Sequence, residues 1–134
     1  MNARAVNPVM PLIARILIAS LFLVIGVRKA MAFAGTAGYF AKLGFPMPEA
    51  MTVIAILIEV GGAILLIIGW KTRWVAWILS LFVLVAAFSA HRFWEVDASQ
   101  MSNQLTQFLK NLAIVGGLLM LAAHGPGRAS ADRP

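Results

Sequence analysis

The chain has no cysteine, only five acidic residues, two histidines and one tyrosine in its 134 positions. Without cysteine there are no disulfides, no thiolate metal sites, no cysteine-ligated iron–sulfur clusters and no thiol redox chemistry carried by the chain itself. The two histidines, His91 and His124, each close an apolar run and are expected on opposite membrane sides, with no ligand spacing, so neither a metal site nor a bis-histidine haem is expected. Set against 11 lysines and arginines, the few acids leave a net charge of +6. These cations punctuate apolar runs and form no stripe interleaved with aromatics, so nucleic acid is not an expected partner. No phosphate-binding glycine loop, nucleophile elbow or haem-attachment motif occurs.

Apolar surface is what the chain has in excess. Hydrophobic residues make up 61% and charged residues 12%, with mean hydropathy +0.88. A soluble domain carries about twice that charged fraction, and so short a chain leaves much of its surface in contact with solvent. Lipid is therefore the expected solvent, and the whole chain, 1–134, reads as one membrane domain.

A spanning helix takes about 20 mostly apolar residues, and four runs approach that length: 11–29, 50–70, 74–91 and 105–123. Backbone groups in lipid must be satisfied within the segment, so all four are expected to be helical. Between the second and third lie only Lys71, Thr72 and Arg73, flanked by Trp70 and Trp74, which suits a tight hairpin at a membrane interface. The segment 35–44 reads as a short interfacial helix, with Thr36 as its N-cap and Gly44 just past its end. The fold expected is thus all-α: a four-transmembrane-helix bundle with a short interfacial helix between the first and second spans. Arg28 and Lys29 interrupt the pattern of a cleaved signal peptide, which favours an uncleaved first helix. Counting cations by side places both termini in the cytoplasm, with Lys71 and Arg73 as topology residues and Arg15 as an anchor that snorkels. The runs Val60-Gly61-Gly62 and Val115-Gly116-Gly117 form an internal echo, and such glycines let helices approach closely.

Ionisable groups inside a span cost about 2.5–3.5 kcal/mol each at its centre on insertion scales. Glu59 lies too deep in the second run to reach either interface, and small residues share its face. Lys110 in the fourth run is its leading expected partner, with Arg28 or Lys29 as the other candidates. Gln100, Gln104, Gln107 and Asn111 share one helical stripe by their spacing. With His91 at the end of the third run, these groups suggest a polar pocket whose ligand-binding candidates are Glu59, His91, Lys110, Asn111, Gln107 and Lys29. The bland alternative is that the charges and amides only fix helix register.

In order along the chain, several segments resemble the DoxX family of small bacterial membrane proteins: Arg15; Gly26-Val27-Arg28-Lys29; Phe33-Ala34-Gly35-Thr36-Ala37-Gly38-Tyr39; and Leu43-Gly44-Phe45-Pro46. Further along come Glu59 with Gly61-Gly62, Gly69 to Arg73, His91 with Phe93-Trp94, and Phe108 to Leu112 followed by Gly125-Pro126-Gly127. The resemblance spans roughly residues 11–130 and looks closest to inner-membrane proteins of Gram-negative bacteria. The recurrent polar positions it implies are Arg15, Lys29, Glu59, His91, Lys110 and Asn111. It also implies an association with quinone-linked oxidation and with soluble oxidoreductases in stress responses.

Three readings follow. The first is a pocket for a small ligand such as a quinone, in a chain with no intrinsic cofactor. The second is a non-catalytic membrane anchor or assembly subunit of an oxidoreductase complex. The third is a small transporter, for which four helices are few. Expected partners are the lipid bilayer, an oxidoreductase subunit and a second copy of the chain in a homo-oligomer. Whether the chain is an enzyme stays open at this level.

Overall fold

Prolines and glycines decide where each helix begins and ends. In the computed structural model, which describes residues 7–132, Pro8 precedes helix α1 (Val9–Met31). Ala32 breaks the helical path at φ −116°, ψ 47°, and a short helix α2 (Phe33–Lys42) follows at once. Thr36 is therefore not an N-cap: α2 begins earlier, and the Thr36 hydroxyl donates back to the Ala32 carbonyl at 3.0 Å. Gly44 takes φ +87° just beyond α2, the left-handed turn for which glycine lacks the steric penalty. Pro48 then opens α3 (Pro48–Ile68), where its missing N–H is of no consequence. Gly69, at φ +75°, closes α3.

Lys71, at φ +52°, turns the chain into α4 (Thr72–Ala90). The last helix, α5 (Ala98–His124), starts earlier than its apolar run because Asp97 caps it, accepting from the Gln100 N–H at 3.2 Å. At about 1.5 Å per residue α5 is about 40 Å long, so its polar first turns extend beyond a hydrocarbon core of about 30 Å. No strand occurs among the described residues. Helices α1, α3, α4 and α5 are each long and apolar enough to cross a membrane.

Two helical hairpins, α1 with α3 and α4 with α5, pack side by side. The helices form a ring in the order α1, α3, α4, α5, with α5 returning to α1. Helices α3 and α5 thus stand at opposite corners, and their Cα atoms come no closer than 8 Å. The buried core joins Ala19 and Phe22 of α1, Ala63 and Leu66 of α3, Ala76 and Leu79 of α4, and Leu118 and Ala122 of α5. All of these lie in the half of the bundle nearer the Lys71 turn. Small residues at these contacts let the backbones close up in lipid, where packing takes the place of the hydrophobic drive. Large apolar side chains such as Leu17, Leu57, Trp74 and Leu81 point outward, as a lipid solvent allows. The opposite half is looser. Helix α2 packs on α3 and touches α1 but keeps clear of α4, and the space left between them holds the candidate site.

Candidate functional site

Glu59 sits in a single π-helical turn, Leu57–Gly61, set inside α3. Such turns insert an extra residue into the i→i−4 ladder and recur at functional sites. The turn presses against α1 at Gly26, where an added Cβ would lie 2.8 Å from Val60 Cγ2 and 3.0 Å from Glu59 Cβ. One turn further along the same face of α1, Lys29 meets Glu59 in an ion pair through Oε1. Glu59 is 2% exposed, and its second oxygen, Oε2, is buried without a hydrogen-bond partner among the described residues.

The partner of Glu59 is therefore Lys29 and not Lys110, which is exposed on α5. The ring order supplies the reason: α3 and α5 are diagonal, whereas α1 and α3 pack directly. Arg28 is also exposed, because the next position on an α-helix turns by about 100°.

The Lys29 ammonium emerges beside an apolar groove of about 720 Å³ between α2, α3 and α4. It lies 5.9 Å from the Phe40 ring centroid and 5.4 Å from that of Phe82, within range of cation–π attraction. Tyr39 and Phe40 of α2, Ala55 and Ile58 of α3, and Ile78, Phe82 and Val85 of α4 form the walls. His91 lines the groove too, and its Nδ1 lies 2.9 Å from Gln104 Oε1.

Of the six ligand-binding candidates, Lys29, Glu59 and His91 thus belong to this region, with Lys29 and His91 on the groove wall itself. Gln107 and Asn111 are half-buried on α5 and do not line it, and neither does Lys110. The cavity is predominantly apolar with polar points, rather than the polar pocket expected. Among the described residues no cluster of histidine, cysteine, aspartate or glutamate could hold a metal.

Sequence reasoning missed two features. Phe88, Phe93, Trp94 and Phe108 make four edge-to-face contacts at centroid distances of 5.0–5.7 Å, with Phe88 and Trp94 tilted at 6.1 Å, which pins the 91–97 loop onto α5. Their clustering in sequence around His91 was the only available signal. The second feature is at the other end of the bundle. Arg15 does not snorkel: it is fully buried, donating to the carbonyls of Leu66 at 2.8 Å, Ile67 at 3.1 Å, and Ala129. Arg73 does the same for α5, donating to Ala123 O at 3.1 Å. The segment after His124 folds back under the Lys71 turn. There Asp132 accepts from the Lys71 and Thr72 N–H groups at 2.7 and 2.9 Å. Partial burial disfavours the Asp132 carboxylate, but hydrogen bonds from Thr72 and Lys71 outweigh it and hold its pKa below the ordinary value. Gly125-Pro126-Gly127 had signalled only a helix stop.

Comparison with known proteins adds a family. A family model described as DoxX matches residues 10–92, which includes Glu59, Lys29 and His91. Inner membrane protein YphA of Escherichia coli (strain K12) is 40% identical over 129 residues, 96% of this chain and 92% of that protein. Inner membrane protein YqjF of the same organism is 39% identical over 122 residues, 91% of this chain and 88% of that protein. Surfeit locus protein 4 homolog of Schizosaccharomyces pombe is 34% identical over 97 residues, 71% of this chain but 32% of that protein. No solved structure matches the chain.

Proposed function

This chain belongs to the DoxX family of multi-pass inner-membrane proteins, and on that premise we propose that it binds a lipid-soluble ligand with a hydrogen-bond-accepting headgroup, a quinone, in the groove between α2 and α4. The observation that carries this reading is Lys29: a cation set in an apolar wall, flanked by Phe40 and Phe82 and held in place by a buried carboxylate. A headgroup carbonyl would accept from Lys29 or His91, while Ile58, Ile78 and Phe82 would pack against an isoprenoid chain. A volume of about 720 Å³ falls within the usual range for ligand sites, roughly 300–1,000 Å³. The groove opens where α2 and α4 stay apart, a side from which a molecule dissolved in the bilayer can enter. An association with redox or stress metabolism would follow from such a ligand.

Purified protein in detergent, melted with and without ubiquinone or menaquinone, tests the reading. Ligand at about 100 times its Kd should add about 2.7 kcal/mol of stability, a shift of several degrees. The shift should vanish in Lys29→Met paired with Glu59→Leu, a variant that removes both charges together. A wild-type protein unmoved by saturating quinone would overturn the proposal.

Four spans put both chain ends on one side of the membrane. We assign that side to the cytoplasm from the cations Lys71, Arg73 and Arg128, which places α2 in the outer interface. Periplasm-restricted labelling of a cysteine introduced at Lys42, and not of one introduced at Arg128, is the expected result; the reverse pattern inverts the topology.

A further inference from the structure

The second large cavity lies at the opposite end of the bundle from Lys29 and has no part in the groove. It measures about 680 Å³ and is formed where the Lys71 turn meets the segment after α5. Three cations, Lys71, Arg73 and Arg128, line it together with His124, and all four side chains are exposed. Asp132 is the one acid among its lining residues. Its carboxylate is turned to the backbone N–H groups of Lys71 and Thr72, and among the described residues it makes no ion pair within 4 Å of any of these cations. Arg73 uses Nη1 on the Ala123 carbonyl, which leaves other N–H groups of its fork available. So much unbalanced positive charge around one concavity calls for an anion with several acceptor oxygens, and the arginine fork matches phosphate.

The surroundings say where that anion comes from. Trp74 is 72% exposed at the rim, and tryptophan favours the headgroup level of a bilayer. From Trp74 an exposed apolar stripe, Ile78, Leu81 and Val85, runs along α4 away from the cavity. Its spacing of 4, 3 and 4 residues keeps it on one helical face, and at about 1.5 Å per residue it extends for about 16 Å, a path suited to an acyl chain. We propose that this basic cavity is a binding site for the phosphate headgroup of an anionic phospholipid, with the acyl chains lying along α4. The headgroup site shares no residue with the groove, although Ile78, Leu81 and Val85 of the stripe also line the groove, so the test below changes only the cations of the cavity.

Phosphatidylglycerol titrated onto the purified protein in neutral detergent, with bound lipid read by native mass spectrometry, tests it. Lys71→Gln and Arg128→Gln remove cations that make no side-chain hydrogen bond among the described residues, so both variants should stay folded. Each should weaken binding about fivefold and the pair about 25-fold, the effect expected per cation near an anionic lipid. The matched control Arg28→Gln with Lys42→Gln, at the far end, should leave binding within about twofold. Equal loss in that control would mean attraction by net charge alone and would sink the site. Phosphatidylethanolamine binding as tightly as phosphatidylglycerol, or inorganic phosphate displacing the lipid at equal concentration, would also overturn it, the latter by showing a site for soluble phosphate.

Discussion

Lys29 reaches a carboxylate on a neighbouring helix, and the two partners differ in what they lose when separated. Glu59 is 2% exposed, whereas the Lys29 side chain keeps 22% of its surface open. Lys29→Met should therefore be the harsher single change, near the lower end of the 3–5 kcal/mol typical for stranding a buried charge. Glu59→Gln leaves an ammonium that can turn toward the groove mouth and should cost about half as much. Lys29→Met with Glu59→Gln should recover most of the loss. Thermal unfolding of the four proteins in detergent measures the coupling, and losses that simply add would show that the pair is not a unit. Arg15 follows the same logic with backbone in place of a carboxylate. Its fork sits among the carbonyls of Leu66 and Ile67, which a helix end otherwise leaves unpaired, and that of Ala129 in the segment after α5.

At the scale of elements, the two hairpins are built alike. In each, an arginine on the first helix donates to the last carbonyls of the second: Arg15 to Leu66 and Ile67, Arg73 to Ala122 and Ala123. Cations at helix C-termini also oppose the negative end of the macrodipole. The glycine pairs obey a matching rule, in which only the second member meets a neighbour. A Cβ on Gly62 would lie 3.0 Å from Leu79 and one on Gly117 3.6 Å from Ile18, whereas Gly61 and Gly116 face open space. Among the glycines within helices the tightest approach is at Gly26. Gly26→Ala should destabilise by about 1–3 kcal/mol through overpacking against the π turn. Gly116→Ala, in a helix interior with room, should be neutral or stabilising by up to about 1 kcal/mol. Melting temperatures of the two variants decide this; a tolerated Gly26→Ala would mean that α1 and the π turn are not held this closely.

For the whole molecule, packing is uneven along the membrane normal. Core side chains fill the half near the Lys71 turn, and the half around Lys29 holds the groove. The segment 129–132 reinforces the packed half, since Ala131 and Asp132 donate to the carbonyls of Ile68 and Gly69 at 3.0 and 2.8 Å. Asp132 contributes as an anion whose pKa is lowered in the folded state. Its stabilisation is thus fully present above the ordinary carboxylate pKa and is lost as pH falls through the lowered folded value. Asp132→Asn should melt below wild type at neutral pH, by about 1 kcal/mol as for other helix caps, and the gap should close in acid. A gap that persists at a pH below that folded value would mean that the charge is not what caps α4.

The four apolar helices and the burden of a buried Glu59 were legible in the sequence, because hydropathy, proline, glycine and capping residues act locally. The sequence also carried the family resemblance, through short segments in a fixed order. Only the tertiary structure decided which cation answers Glu59. Lys29 and Lys110 are equally plausible by depth, and the choice depends on which helices are neighbours in the ring and which are diagonal. Hydropathy says how deep a residue lies but not which way its helix is rotated. The π turn, the buried role of Arg15 and the return of the segment 129–132 to cap α4 likewise depend on groups far apart in sequence, whose pairing exists only once the helices have docked.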